Sequence, residues 1–339
     1  MSIDRIGTKG RCVFCGEKLF KKNEEHVIPK WAMRETGTTG TARPFYAKLH
    51  SSRGYIRVHE PWRKLTVPAH QSCNSEFSQL ENLARTALLA IQSGDEVTPR
   101  QLGQFADWID KVRVGFWWWV VSRSGNPLNV PMTFGIADRL GTKDRLIRVS
   151  LLDCTTEGLN ILGASSLGFQ NQPSAFALRF NNVLVLSVSS DFILAERMGY
   201  AYPTHWNHSS DGLIEIELAE GRGAPRIPIF PRLFGIPGTA AYQTLSGPDK
   251  SPLMVVDNEQ VKPFPTSRFG SRWQNISVSG ACALLEMEVR AYQWLLLQQS
   301  AAQGAKISPV FRDLVLTEHN KTISAISRAY FDRALPVLR

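Results

Sequence analysis

Three short stretches carry side chains whose types and spacing could do chemistry: Cys12-Val13-Phe14-Cys15, Glu25-His26-Val27-Ile28-Pro29 and His70-Gln71-Ser72-Cys73-Asn74. A C-x-x-C and an H-x-x-C knuckle each offer two ligands, and together they can close a tetrahedral zinc site. Cys12, Cys15, His70 and Cys73 are the expected ligands, and Gly16 directly after the first pair allows the tight turn such a knuckle needs. Four protein ligands leave no open coordination position, so this zinc is expected to be structural. It would pin residues 12–15 to the start of a helix over 72–91. Glu25 and His26 are neighbours on a short segment read as a strand, since Val27 and Ile28 are β-branched and Pro29 ends it. Neighbouring strand side chains point to opposite faces, so both could flank one substrate if the strand bends or a metal lies between them. The carboxylate of Glu25 and the carboxamide oxygen of Asn74 form a hard oxygen pair, suited to Mg²⁺ or Mn²⁺.

The elements that must position these groups follow from periodicity and caps. Phe77, Leu80, Ala84, Ala87, Leu88 and Ile91 recur at three- and four-residue steps, the period of one apolar helix face. Ser72, Asn74 and Ser75 are capping types, so the helix is expected to begin near Asn74, with a break at Ser93-Gly94-Asp95. A second helix starts at Thr98, with Pro99 in its first position and Gln101 completing a capping box. Its stripe is Leu102, Phe105, Ile109, Val112, Phe116 and Val120, and Trp117-Trp118-Trp119 covers all its sides. That run reads as core packing over a base-stacking platform. From about 126 to 275 the pattern turns to period two. Strands are expected over 146–152, 176–180, 183–188 and 213–218, with Asn181-Asn182 as a tight hairpin. After about 277 helices return, with a stripe of Leu284, Leu285, Val289, Tyr292 and Leu296 and a further start at Ser308-Pro309.

Composition bounds the possibilities. The chain has 339 residues, 43% of them apolar and 20% charged, which permits a packed core and excludes wholesale disorder. The longest apolar stretch, Val114 to Val121, has eight residues, against about 20 for a membrane span. The first ten residues lack a signal-peptide pattern, and five cysteines without a disulfide framework fit a reducing, cytoplasmic setting. The net charge is +9, but residues 1–75 hold 14 basic against 6 acidic side chains, so nearly all the excess lies there. Such local excess suits a phosphate-rich partner, although a solvated basic face would look the same. Cys154 and Cys282 read as core thiols, and His50 and His59 as surface residues. A zinc-protease helix, a nucleobase deaminase and a nucleotide-hydrolysing phosphate loop each need a motif that does not occur.

In this order and spacing the three stretches resemble the HNH (ββα-metal finger) nucleases, in the variety braced by a zinc knuckle. Phage Holliday-junction resolvases share the order, and the HNH domain of CRISPR effector nucleases has a comparable acid-His plus Asn set. Bacterial HNH endonucleases with "EH-I/V-x-P-K-W", then "CN", then "LE" are more similar still. This chain reads Glu25-His26-Val27-Ile28-Pro29-Lys30-Trp31, Cys73-Asn74 and Leu80-Glu81. The resemblance covers residues 12–92. It implies that His26 is the general base and that Glu25 and Asn74 hold a catalytic Mg²⁺ or Mn²⁺. His70 in place of Cys, Glu25 in place of Asp, and a long segment between His26 and His70 depart from the pattern. That segment is expected to carry an inserted loop. Lys30, Arg43, Lys48, Arg53, Arg57, Arg63 and Lys64 are candidate nucleic-acid contacts, and Glu81 either supports the site or forms a helix salt bridge.

The expected fold is α+β: a zinc-braced ββα finger over 1–92, a connecting helix over 93–125, a β-rich region over 126–276 and a helical region over 277–339. The expected activity is metal-dependent DNA cleavage, with restriction or phage defence as the setting. A homodimer, and a regulatory ligand or protein partner on the last two thirds, are the expected partners besides DNA. The rival expectation is a zinc finger that grips nucleic acid without cutting it.

Overall fold

The computed structural model describes residues 10–21, 23–40, 44–130, 132, 135–142, 145–189, 202–208, 214–219, 239–243, 253–257, 260–263, 272–273 and 277–302. The protein is α+β. Its first part contains β1 (Glu24–His26), α1 (Lys30–Glu35), β2 (Phe45–Ser51), β3 (Gly54–Glu60), β4 (Thr66–Pro68) and α2 (Gln71–Ser93). β1 and β4 pair antiparallel, with His26 opposite Thr66 and Glu25 opposite Val67. The segment between them, expected to carry an inserted loop, holds α1 and an antiparallel β2–β3 ribbon. Phe45, Ala47 and Leu49 face inward and Tyr46 and Lys48 outward, the alternation of a half-buried strand. Gly54, at φ +102°, turns the chain back.

α2 begins three residues before the expected start, with His70 as its N-cap and no side-chain cap. Ser72 and Asn74 lie inside the first turn, because the residues around them are fixed by His70 and Cys73. Gly94 ends the helix in the left-handed region at φ +77°. α3 (Pro99–Ser124) carries the expected capping box: the Gln101 amide donates to Thr98 Oγ1, and the Thr98 amide to Gln101 Oε1 at 2.9 Å. Trp117, Trp118 and Trp119 are 2%, 0% and 5% exposed, which makes α3 a helix buried on every side.

After α4 (Ile136–Thr142) come β5 (Arg145–Leu152), β6 (Leu159–Leu162), α5 (Leu167–Asn171), β7 (Ala175–Phe180), β8 (Val183–Ser189), β9 (Tyr202–His208), β10 (Ile214–Ala219), β11 (Thr239–Gln243), β12 (Leu253–Asp257), β13 (Gln260–Pro263), β14 (Arg272–Trp273) and α6 (Val278–Ala302). The main sheet runs β13-β12-β11-β5-β8-β7-β6, with β14 parallel to β5. Asn181, at φ +52°, makes the expected β7–β8 turn. Alternation splits the sheet's residues between two apolar clusters. Ile147, Val149, Phe176, Leu178 and Val185 join the α3 side, while Leu146, Ala177, Leu184 and Leu186 join α6 through Leu285, Val289 and Tyr292. Cys282 is buried and Cys154 half-buried against this second cluster. The expected start at Ser308 lies outside the described residues. No helix among the described residues is long and apolar enough to cross a membrane.

Candidate functional site

The two knuckles meet. The Sγ atoms of Cys12, Cys15 and Cys73 and a ring nitrogen of His70 all lie within 4.8 Å of one another. Zinc–sulfur bonds of about 2.3 Å place tetrahedral ligands about 3.8 Å apart, so this donor set needs only a small contraction to hold zinc. The first knuckle is a tight turn: the Gly16 amide donates to the Cys12 carbonyl and the Cys12 amide to the Glu17 carbonyl, both at 2.8 Å. Gly16 sits at φ +73°, as a left-handed turn position requires. His70 Nε2 lies 3.2 Å from the Lys18 carbonyl, and Nδ1 lies 3.4 Å from Cys15 Sγ. Nε2–H therefore donates to Lys18, which leaves the Nδ1 lone pair turned toward the sulfurs, the outer hydrogen bond that orients a metal-bound histidine. The His70 amide also donates to Cys12 Sγ at 3.2 Å.

The thiols show the same design electrostatically. Burial raises the Cys12 thiol, but hydrogen bonding from the main chain at Cys15, His70 and Phe14 outweighs it and brings the thiol below its ordinary value. Cys73 is pushed up to about 12, by burial and then by the negative charge of Cys12 and Cys15. Three thiolates this close need a cation among them, and zinc is one that thiolate and imidazole ligands suit.

The clasp is built into the surrounding structure. The Val13 amide donates to Pro68 of β4, and the Ile136 and Ala137 amides at the start of α4 donate to Val13 and Phe14, each at 2.9 Å. The Phe14 ring stacks on Phe77 of α2 at 4.7 Å. Gly135 lets α4 approach this closely, since a Cβ there would stand 2.5 Å from the Phe14 carbonyl oxygen.

Beside the clasp, β1 presents Glu25 and His26 to opposite sides. Glu25 is 6% exposed and bound to Lys111 Nζ of α3 at 2.5 Å. The same ammonium also pairs with Glu81 of α2. Burial raises the Glu25 carboxyl above its ordinary value; Lys111 opposes this and Glu81 adds to it. His26 is half-buried, and its Nδ1 is enclosed without a well-formed hydrogen bond. Burial first and Lys30 second hold the imidazole below its ordinary value, against the opposite pull of Glu81, Glu24 and the Arg63 main chain. Asn74 lies on the first turn of α2, seven residues and about two turns before Glu81 and so on the same helix face.

Apart from His26 and Asn74, the expected site residues fall into three groups, one of them joined by Lys111. Cys12, Cys15, His70 and Cys73 converge. Glu25, Glu81 and Lys111 form a buried ion cluster linking β1, α2 and α3. In this arrangement Lys111 is bound to Oε1 of Glu25, one of the oxygen donors expected for Mg²⁺ or Mn²⁺. Lys30, Arg63 and Lys64 are exposed, and Lys30 and Arg63 lie close to His26. Lys48, Arg53 and Arg57 are exposed on the β2–β3 ribbon. Arg43 lies outside the described residues.

Sequence reasoning missed Lys111, which sits between Asp110 and Val112 inside a helix read only for its apolar stripe. It also missed the ion network around Asp110, which is fully buried against Arg113 at 2.7 Å, Arg145 at 3.1 Å and Arg139 at 3.3 Å. Burial pushes the Asp110 carboxyl up, but Arg139, Arg113 and Arg145 outweigh it and lower it to about 2. Neighbouring acid and base on one helix turn were the only signal for either group.

No protein-family model matches the chain, and no curated protein or solved structure is significantly similar to it. The likeness to HNH nucleases therefore rests on the motif residues of the sequence.

Proposed function

We propose that the chain is a DNA phosphodiester hydrolase of the HNH type, in which His26 takes the proton from the attacking water. The observation that carries this reading is the state of His26: a half-buried imidazole at the end of β1, held below its ordinary pKa and flanked by Lys30. A ring that is neutral at pH 7 can act as a base, and Lys30, with Arg63 and Lys64 nearby, offers positive charge to a phosphate. Further support comes from the order of parts, a paired β1 and β4 followed by α2, with the Cys₃His clasp fixing the first turn of the helix that carries Asn74. A divalent ion on Glu25 and Asn74 belongs to this reading and requires Glu25 to leave Lys111; when bound, it would stabilise charge developing on phosphate oxygens. His26 and the cations of its rim bind, orient and deprotonate. Cleavage leaving 5′-phosphate and 3′-hydroxyl ends and a role in phage defence or restriction go with the resemblance, a homodimer goes with double-strand cutting by one active site per chain, and a regulatory ligand or protein partner on the later part goes with its near-neutral charge.

A second reading is favoured by one observation. Glu25 is already neutralised by Lys111, as it would be in a zinc-braced module that only grips nucleic acid. Incubation of supercoiled plasmid with the full chain and Mg²⁺ or Mn²⁺ separates the two. The hydrolase reading expects nicked or linear product, with His26→Ala slowing cutting by at least about a hundredfold at unchanged zinc content and DNA retention. Equal cutting by His26→Ala refutes it, and DNA retention without any cutting by the native chain establishes the second reading.

A further inference from the structure

The outward face of the β2–β3 ribbon has no part in proton transfer, yet it is the most regular exposed array in the first part of the chain. Register places Tyr46 opposite His59, Lys48 opposite Arg57 and His50 opposite Tyr55. The inward face is anchored, with Phe45 set edge-on to Trp62, Phe116 and Trp119 at 5.2–5.5 Å. The outward side chains are thus held on a firm ribbon while Tyr46 and Tyr55 remain 63% and 48% exposed. Lys48, Arg57 and His59 are exposed as well.

The array has an internal order. An aromatic rung, Tyr46 with His59 at 6.0 Å, is followed by the cationic rung of Lys48 and Arg57, then by a second aromatic rung, His50 with Tyr55 at 4.5 Å. Lys48 Nζ stands 4.0 Å from the centre of the Tyr55 ring. Arg53 adds a cation at the tip. None of the six outward positions is acidic, and the ribbon's one carboxylate, Glu60, is bound by Arg123. Successive rungs on a strand are about 7 Å apart, so the two aromatic rungs lie about 14 Å apart with positive charge between them.

Aromatic faces that flank cations match a strand whose bases are unstacked and whose phosphates pass between them. A duplex keeps its base faces covered and offers the ribbon only phosphates. We propose that this face is a stacking platform for single-stranded DNA, holding unpaired nucleotides of the substrate. The proposal rests on the nucleic-acid reading above, and names the form of DNA that reading leaves open.

The test uses fluorescence anisotropy with the full chain carrying His26→Ala, so that nothing is cut. The probes are a labelled 15-nucleotide oligo-dT, a 15-base-pair duplex and a 15-nucleotide oligo-U. The oligo-dT is expected to bind more tightly than the duplex. Tyr46→Ala with Tyr55→Ala should weaken oligo-dT binding by at least tenfold, since stacking contributes roughly five- to 150-fold per base. Duplex binding should change less than twofold, and Tyr46→Phe with Tyr55→Phe should restore oligo-dT binding. Lys48→Gln with Arg57→Gln should reduce the slope of log K against log salt by roughly 1.4 on the single strand. Zinc content equal to that of the parent shows that each exposed-face variant is folded. An unchanged oligo-dT affinity in the tyrosine-to-alanine variant overturns the proposal. So does an equal loss on duplex, or tighter binding of oligo-U than of oligo-dT. The nuclease reading is scored separately by plasmid cutting with native His26: cutting that persists while the tyrosines prove irrelevant removes the platform alone, and tyrosine-dependent binding without cutting removes hydrolysis alone.

Discussion

Replacing Lys111 by Met tests how the candidate site is held together. The ammonium is 3% exposed and lies between Glu25, 8% exposed at the side chain, and Glu81, 20% exposed. Removing it leaves two carboxylates facing each other with no cation, and breaking a buried pair from one side costs about 3–5 kcal/mol. Set against a typical domain stability of about 5–15 kcal/mol, that loss is large. It should be readable as a fall in urea midpoint followed by tryptophan fluorescence at pH 7.5.

The pH dependence carries the sign. In the native chain Glu25 is raised above its ordinary 4.5 by burial and by Glu81, with Lys111 opposing. Without Lys111 only the raising causes remain, so the folded chain binds a proton that the unfolded chain has released. Stability must then fall as pH rises through the folded pKa and recover as pH drops toward 4.5. The deficit of Lys111→Met is therefore expected to shrink between pH 7.5 and pH 5, and Glu25→Gln added to Lys111→Met should restore part of the loss at pH 7.5. A deficit below about 1 kcal/mol that does not vary with pH would show that Lys111 is not the cation holding β1 to α2. Under the hydrolase reading the same variant, kept at a temperature where it is folded, should need less Mn²⁺ for half-maximal nicking.

Further outcomes follow from the metal clasp and the Asp110 network. The full chain should carry one zinc by elemental analysis and lose it in Cys73→Ser. Zinc affinities of about 10–16 kcal/mol in small fingers rival the whole folding energy, so near-UV circular dichroism of that variant should lose the fixed packing of the Phe14–Phe77 region. Asp110→Asn removes the anion shared by Arg113, Arg139 and Arg145, leaving only Asp107 paired with Arg145, and should cost about 3–5 kcal/mol in chemical denaturation. Because the Asp110 carboxyl is depressed from 3.8 to about 2, it contributes stability above pH 4 that is lost as pH falls through 2, roughly 2 kcal/mol in all. A native chain no more acid-sensitive than Asp110→Asn over that range argues against the network.

What could be read from the sequence was local. The capping box of α3, the Asn181-Asn182 turn and the spacing within each zinc knuckle need only a few neighbouring residues, and local rules describe them. The start of α2 was misplaced because Ser72 and Asn74 suit a cap in isolation, whereas His70 and Cys73 are tied to Cys12 and Cys15 more than fifty residues away. The β2–β3 ribbon was hidden because its outward face carries Tyr46 and Tyr55, which blur the contrast between apolar and polar positions. Pairing of β11 with β5 joins Gln243 to Arg145, a contact that no window of local pattern reports. Lys111 and Asp110 reveal their roles only when α3 is seen between β1, α2 and β5.

That central position of α3 bears on how the functional parts relate. Its Trp108 meets Trp31 of α1 at 5.4 Å, Trp31 meets Phe180 of β7 at 5.9 Å, and Phe116 meets both Phe45 of the ribbon and Phe169 of α5. One apolar cluster therefore runs from Cys12 through α3 to Phe180 and Ala241. Packing of this density transmits displacement instead of absorbing it. A displacement of β7 or β5 would therefore reach α3 through direct packing, without needing a separate hinge. The β-rich region is thus packed, through the same side chains that keep the fold closed, against the helix whose Lys111 holds Glu25.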